Sequence, residues 1–188
     1  MTIAVVSALC EEKGGTIERH VYPLVFTPEN LQKFWEKARE FPTLYGMEIK
    51  EVADFMNLFL GQEGDHLEAK GLFWVVDDFS GIFYISDITE GECNVHYTFF
   101  DRVHNGRHNL TKKMLKYIFN KYKFRRVNVS IPLFSSKYTR YFVTEIGFKL
   151  EGRKRKAAFF KGQWFDVMQY GLLVEEVFPS AMASTSEK

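Results

Sequence analysis

The pattern of apolar and polar positions predicts one strand and two helices near the start of the chain. Residues 17–25 are expected to form the strand. Thr27, Pro28 and Glu29 then provide a hydroxyl cap, a proline at the first helical position and an acid in the first turn, so a helix should run to about residue 41. A second helix is predicted over residues 48–60, with five apolar residues on one face: Ile49, Val52, Phe55, Met56 and Phe59.

Three strands are predicted in the middle of the chain, at residues 71–76, 81–89 and 93–100. The segments that join them, DDFSG and TEGE, have the length and composition of tight turns. Strands joined by such short turns pair antiparallel. The pattern therefore indicates two consecutive hairpins.

A long helix should follow residue 109, because six apolar or aromatic residues recur on one helical face. These residues are Leu110, Met114, Leu115, Ile118, Phe119 and Tyr122. A short strand is predicted over residues 127–131, and Pro132 ends it.

The last third of the chain should hold one more helix and a hairpin. Ser135 or Ser136 can cap the helix, and Gly147 is a residue on which helices commonly end. Residues 148–160 and 163–171 should pair around a turn at 161–162. The order of elements predicts an α+β or mixed α/β fold with one central sheet and no internal linker.

Length and composition are those of one globular domain, which we expect to span residues 15–178. The chain has 188 residues, of which 46% are hydrophobic and 16% aromatic. Residues 1–14 are predicted to be a strand or a loose arm and not a signal peptide, because no basic region precedes their short apolar stretch and two glutamates follow it. Residues 179–188 are small and polar, and a disordered tail is expected there.

The spacing of the cysteines and the hydropathy of the chain indicate where in the cell the protein is expected. Cys10 and Cys93 have neither paired nor metal-like spacing, which favours a reducing, cytoplasmic environment over secretion and gives no metal site. No apolar stretch approaches the length of a transmembrane helix, so we expect no membrane partner.

Charge is distributed unevenly, although the net charge is only +1. Residues 1–100 hold 7 Lys and Arg against 17 Asp and Glu, whereas residues 101–170 hold 17 against 4. The basic part could face an anionic ligand and the acidic part a cationic one. Equally, the two parts could mainly neutralise each other.

The stretch FDRVHNGRHNLTKKML, residues 100–115, joins a predicted strand to a predicted helix. Its turn contains a glycine, an arginine and several backbone N–H groups at the start of the helix. Such a turn is either simply tight or a binding site for an anion, above all a phosphate.

Two stretches of this sequence resemble the GCN5-related N-acetyltransferase (GNAT) superfamily. The first is the turn NGRHN, residues 105–109, where the family reads Gln/Arg-x-x-Gly-x-Gly/Ala. The second is residues 139–173, where a helix closes on Gly-Phe, a strand carries LEG and an aromatic hairpin follows. That ending is most similar to the branch that includes ribosomal-protein N-terminal acetyltransferases. The resemblance covers roughly residues 15–173.

The resemblance implies a fold and a co-substrate. The fold would be a central, mostly antiparallel, twisted sheet of about seven strands flanked by about four helices. The co-substrate would be acetyl-CoA, with its pyrophosphate on the turn residues His104, Asn105, Gly106, Arg107, His108 and Asn109. The sequence departs from the family at His108 and Leu110, where glycines are usual. Only Gly106 keeps a close backbone approach easy, and Arg107 could compensate by adding charge.

The resemblance also implies residues along the pantetheine arm. Tyr97, Thr98 and Phe99 would contact it mainly through backbone groups. Ser136 falls where relatives often have an asparagine that touches the arm, and Thr139 falls where many have serine.

Candidate catalytic residues come from the same comparison. His96 lies on the strand beside the expected thioester and titrates in the right range for a base, although it could instead fill space or bond to a carbonyl. The tyrosine acid common in the family falls at Val143, which cannot donate a proton. Tyr141, two residues away, could replace it only with a shift in register.

Three functions are compatible with these residues. The first is acetyl transfer from acetyl-CoA to an amine of a protein N-terminus, a side chain or a small molecule, by direct attack in a ternary complex. The second is a catalytically weak or inactive GNAT-like module that binds a protein partner. In either case we expect a monomer or homodimer.

The third function, nucleic-acid binding, is the least favoured, because lysines on the outer face of a helix usually serve solubility. Its candidate residues are basic: Lys112, Lys113, Lys116, Lys121, Lys123, Arg125, Arg126 and the run 153–156. Glu48, Glu51 and Asp54 could attract a cationic amine, but their period also fits a solvated helix face.

Overall fold

The computed structural model of the chain describes residues 6–12, 15–41, 51–63, 66–100 and 106–179. The strands are β1 (Val6–Glu12), β2 (Gly15–Pro23), β3 (Leu60–Glu63), β4 (His66–Ala69), β5 (Leu72–Val76), β6 (Gly81–Ser86), β7 (Glu92–Phe99), β8 (Arg126–Pro132), β9 (Lys149–Phe160) and β10 (Gln163–Leu173). The helices are α1 (Pro28–Ala38), α2 (Val52–Phe59), α3 (Arg107–Tyr122), α4 (Lys137–Ile146) and α5 (Val174–Val177).

Eight of these strands form one sheet in the order β1-β2-β5-β6-β7-β8-β10-β9. Every neighbouring pair is antiparallel except β7 and β8, which are parallel. This confirms the predicted fold class, with one strand more than the predicted seven. The additional strand is β1, in the segment predicted as a strand or a loose arm, and it pairs with β2 along its whole length. In the described part of the chain α5, a single turn, is likewise additional to the four helices expected.

The predicted cap residues are confirmed, although α1 ends at Ala38 and not near residue 41. Thr27 caps α1, and its Oγ1 accepts from the backbone N–H of Asn30 at 3.2 Å. Of the two candidate serines Ser136 caps α4, and Gly147 ends that helix with a φ of 119°, a left-handed conformation that glycine adopts without strain. The predicted start of α2 at Glu48 and Ile49 lies outside the described residues.

The small hairpin of β3 and β4 was not predicted. The second helix was expected to extend to residue 60, but α2 ends at Phe59 and Leu60 already has the extended backbone of a strand. The turn between β3 and β4 falls outside the described residues.

The sheet is covered on both faces, and each face has its own apolar core. On one face α3 and α4 pack against the sheet through Leu110, Met114, Ile118, Val143 and other buried residues. On the other face α1 and α2 enclose an aromatic cluster centred on Phe34, whose ring lies 4.7 Å from that of Phe55 and 5.2 Å from that of Phe59 between centroids. Neighbouring residues of β5 serve the two cores alternately, as the pleat of a strand requires.

The parallel pair β7–β8 positions the candidate site. The two strands are bridged only from Glu92 to Asn94, opposite Arg126 to Asn128. Beyond Asn94, β7 keeps its partner β6 on one side as far as Phe99. On the other side β8 moves away, and a cleft opens in the middle of the sheet.

Candidate active site

The cleft between β7 and β8 is a cavity of about 310 Å³. Residues 95–98 of β7 form one wall, residues 129–132 of β8 form the other, and Ser136 and Thr139 border it from α4. A second cavity of about 350 Å³ shares Tyr97, Thr98 and Thr139 with the first and extends to the start of α3. The two cavities therefore lead from the middle of the sheet to a helix N-terminus.

Backbone groups of β7 are available along this path. A strand in the middle of a sheet normally pairs on both sides, but beyond Asn94 only the side toward β6 is paired by the sheet. An extended ligand with amide groups can pair with such a strand edge. The contact of Tyr97, Thr98 and Phe99 with a pantetheine arm stays a prediction.

The start of α3 faces the outer cavity. Gly106 is its N-cap and is buried, and no acidic residue occupies the first turn. Arg107 and His108 both line the outer cavity. The Arg107 guanidinium lies 5.2 Å from the centroid of the Phe99 ring, and the His108 ring lies 4.5 Å from that of Phe142.

Of the other predicted turn residues, the structure describes Asn109 alone. His104 and Asn105 lie outside the described residues. Asn109 is exposed and borders neither cavity. On the α4 side, the Ser136 hydroxyl accepts from the Tyr138 N–H at 3.2 Å, so it both caps the helix and borders the cleft.

His96 lies on β7 at the inner cavity, where a base was predicted. Its ring stacks on Tyr84 of β6, with 4.2 Å between centroids and an interplanar angle of 3°. Its Nε2 is 3.0 Å from the Ser86 Oγ. Burial lowers the pKa of His96 to about 4, against a smaller opposite effect of Asp87. The imidazole is therefore neutral at physiological pH, but burial makes it a weaker base than the near-neutral titration predicted from the sequence.

We expect the half-buried imidazole of His96 to make stability depend on pH. Below its ordinary pKa of about 6.5 the unfolded chain protonates this histidine, but the folded protein does so only near pH 4. The free energy of unfolding should therefore decrease as the pH falls through this window, by about 3 kcal/mol from this group. Urea titrations at pH 7 and pH 4 measure this decrease. The free energy of unfolding of His96→Gln should fall between the two pH values by about 3 kcal/mol less than that of wild type.

His20→Gln, on β2, controls for the removal of a histidine elsewhere. Apart from Asp87, which interacts with His96, the carboxylates contribute equally to wild type and to both variants. The difference between the His96 and His20 variants therefore reports mainly the His96 imidazole. A difference below about 1 kcal/mol would show that the His96 pKa is ordinary.

Three further residues are relevant to the question of which group could protonate the departing thiolate. Tyr141 is 63% exposed and lines the outer cavity beside Arg107, so its role as an acid stays a prediction. Val143, at the family's acid position, is fully buried in the core. Tyr97 borders both cavities, its hydroxyl is buried without a hydrogen-bond partner in the described part of the chain, and burial raises its pKa.

Sequence reasoning missed Ser86, Asp87 and Tyr84 as neighbours of His96. They lie on or directly after the preceding strand, and only the observed register, with Tyr84 opposite His96, brings them together. A hairpin was predicted here, so the exact pairing was the missing information.

No family model and no curated protein matches this chain by sequence.

Solved structures, in contrast, match it over most of its length. The spermidine N-acetyltransferase of Vibrio cholerae, solved with CoA and spermine, has a TM-score of 0.66 and 15% identity over 84% of this chain and 98% of its own. An acetyltransferase of the GNAT family from Bacillus anthracis has a TM-score of 0.62 and 14% identity over 88% and 98%. The chain has the GNAT fold. The ribosomal-protein-S5-alanine acetyltransferase of Vibrio fischeri shares this fold, with a TM-score of 0.58 and 13% identity over 88% and 96%.

The GNAT fold confirms the resemblance inferred from the turn and the C-terminal hairpin. The matches cover nearly the whole of each solved chain, so the likeness extends over the whole fold and not over one part of it. None of the helices in the described residues is both long and apolar enough to span a bilayer.

Proposed function

We propose that this protein is an N-acetyltransferase that moves an acetyl group from acetyl-CoA to an amine. The observation that carries the proposal is the cleft where β8 leaves β7, since it joins a freed strand edge, a half-buried histidine and a helix N-terminus. The solved spermidine N-acetyltransferase, which shares the GNAT fold, was crystallised with CoA. That complex supports the same co-substrate here.

In this proposal the cofactor follows the two cavities. The pyrophosphate lies at the start of α3, where backbone N–H groups, the helix dipole and Arg107 favour an anion. The pantetheine arm lies along residues 97–99 of β7, with Ser136 and Thr139 opposite. The thioester then reaches the inner cavity beside His96.

The chemistry needs a neutral amine and a stabilised carbonyl oxygen. As the amine nitrogen bonds to the acetyl carbon, the carbon–sulfur bond breaks and its electron pair goes to sulfur. His96 accepts the proton that the amine loses. A backbone N–H of the separated part of β7 donates to the carbonyl oxygen, where negative charge develops.

The acceptor is an amine of a protein or of a small molecule. Glu51, the N-cap of α2, and Asp54, in its first turn, are exposed, and Glu48 lies outside the described residues. A solvated helix face explains the two described carboxylates as well as an amine site does. A cytoplasmic location and a monomeric or dimeric state remain predictions from the sequence.

The test has two stages. Calorimetric titration with acetyl-CoA should give binding in the micromolar range, and release of free thiol should then be assayed with peptide N-termini, lysine peptides and polyamines. Turnover with any of these amines supports the enzyme. Lack of binding at millimolar acetyl-CoA would contradict the proposal.

A second candidate function is a binding module of GNAT fold without efficient turnover. Val143 favours it, because this buried aliphatic residue stands where the family has its proton donor. Binding of acetyl-CoA without turnover of any amine would select this alternative, and a protein partner would then be sought.

Arg107 should contribute to acetyl-CoA affinity through charge. A charge-assisted hydrogen bond to phosphate contributes about 1.5–3 kcal/mol, so Arg107→Ala should raise the dissociation constant at least tenfold. Lys112→Ala removes the same charge from an exposed position of the same helix and should change it less than about twofold. Equal effects of the two variants in calorimetry would indicate general electrostatic attraction and not a phosphate contact.

A further inference from the structure

A continuous chain of hydrogen bonds connects His96 to a carboxylate at the end of β6. The Ser86 Oγ lies 3.0 Å from the His96 Nε2 and 3.0 Å from the Asp87 Oδ2. The Asn94 side-chain amide donates to the same Asp87 oxygen at 2.7 Å. Ser86 and Asp87 take no part in the two cavities themselves.

The direction of these bonds follows from the proton count. The Ser86 hydroxyl has one proton and two neighbours that could accept it, Asp87 and His96. Hydrogen bonds from Asn94 and Ser86 hold the pKa of Asp87 below its usual value, so this carboxyl is ionised at neutral pH. An ionised carboxylate is the stronger acceptor. Ser86 therefore donates to Asp87, and its oxygen accepts from the His96 Nε2–H.

This direction fixes the tautomer of the histidine. A neutral imidazole with its proton on Nε2 has its lone pair on Nδ1. Stacking on Tyr84 holds the ring plane, and the Nε2 bond holds the rotation within that plane. The atom left to accept a proton is thus Nδ1.

We propose that Ser86 and Asp87 are positioning residues for the base: they hold His96 in the tautomer protonated on Nε2, so that Nδ1 receives the proton of the attacking amine. This inference rests on the proposed acetyl transfer. In the step, the carbon–nitrogen bond forms, the carbon–sulfur bond breaks with its electron pair on sulfur, and one proton moves from the amine to Nδ1. The resulting imidazolium donates from Nε2 to Ser86, which remains hydrogen-bonded to the Asp87 carboxylate.

The surroundings of His96 agree with this role. Among the described residues, Asp87 is the charged group whose field acts on the imidazole, and it favours the protonated form. Tyr84, which stacks on the ring, stays neutral because burial raises its pKa. On the opposite wall of the cleft β8 presents Ser130, which carries no charge. The charge that forms on His96 is therefore opposed by burial and stabilised by Asp87.

The tautomer can be measured without any substrate. In protein labelled with ¹⁵N-histidine, long-range ¹H–¹⁵N spectra near pH 7 distinguish an Nε2–H from an Nδ1–H imidazole. We expect the Nε2–H pattern for His96 in wild type, retention of it in Ser86→Thr, and a mixture of tautomers in Ser86→Ala. An Nδ1–H pattern in wild type, or an unchanged pattern in Ser86→Ala, would overturn the inference.

Kinetics then test the role in catalysis. Ser86→Ala and Asp87→Asn should lower kcat about tenfold or more while the KM for acetyl-CoA changes less than twofold, and Ser86→Thr should restore most of the rate. Asp78→Asn, an exposed acid on the turn before β6 that pairs with Lys33, controls for loss of a carboxylate. If kcat of Ser86→Ala equals that of wild type, the positioning role is wrong.

Failure of this inference is distinguishable from failure of the proposed function. If acetyl-CoA binds and an amine is acetylated while the tautomer of His96 is Nδ1–H, only the positioning role of Ser86 and Asp87 is wrong. If the tautomer is Nε2–H but acetyl-CoA does not bind, the acetyltransferase proposal falls, and with it any role of the hydrogen-bond chain in acetyl transfer.

Discussion

Gly106→Glu is expected to abolish measurable binding of acetyl-CoA, raising the dissociation constant at least a hundredfold. Gly106 is the buried N-cap of α3, with a φ of −102° and a ψ of −11°. Any residue adopts this backbone conformation, so the substitution requires no left-handed geometry. The new carboxylate would itself occupy the anion position at the helix N-terminus and would repel the pyrophosphate.

Two control variants separate charge from space in this experiment. Gly106→Ala adds a Cβ without charge and should weaken binding less than the glutamate does. Asn120→Glu adds the same charge at an exposed position near the other end of α3 and should leave the affinity within about twofold. Calorimetric titration measures all three, and thermal unfolding confirms that each is folded. Affinity within tenfold of wild type for Gly106→Glu would show that no phosphate binds at this turn.

His96→Gln should lower kcat by about 10²- to 10³-fold, the range typical of the loss of a general base. Glutamine has a similar length and can still reach Ser86, but it cannot accept the amine proton. The affinity for acetyl-CoA should change less than threefold, because His96 borders the inner cavity and not the helix N-terminus.

The pH profile gives a second measurement of the same residue. Because the pKa of His96 is about 4, kcat/KM in wild type should show no protonation step of this base between pH 6 and pH 7. The rise with pH should instead follow deprotonation of the amine, whose pKa is about 7.7–8.0 for a protein N-terminus or about 10.4 for lysine.

A kcat of His96→Gln within threefold of wild type would assign proton removal to water.

Much of the fold could be predicted from the sequence because the signals that determine it are local. Thr27 and Ser136 cap helices through groups two or three residues away, and Gly147 ends a helix through its own φ. The β3–β4 hairpin could not be predicted, because Leu60 continues the apolar pattern of α2. Its backbone is nevertheless extended, as in a strand. The separation of β7 from β8 is also invisible in the sequence, since Val129 and Ile131 continue the alternation of an ordinary strand.

In the candidate site, too, contacts within one segment could be predicted and contacts between strands could not. Gly106, Arg107 and His108 are neighbours in the chain, so the motif identifies them together. The pairing of Ser86 with His96 joins residues ten positions apart and depends on the register of β6 and β7. The hydroxyl of Tyr97 is isolated by packing from several elements. Such contacts depend on the whole sheet and cannot be read from any one segment.

The position of β9 at the outer edge of the sheet gives its basic run a physical meaning. A sheet edge carries unpaired backbone groups that another chain can extend into an aggregate, and charged side chains, lysine above all, oppose this. The residues 153–156 are exposed, and Lys156 departs from strand geometry with a φ of 49° while its N–H donates to Asp166. Two copies of this edge therefore repel each other, and the irregular backbone at Lys156 interrupts the straight edge that a further strand would need.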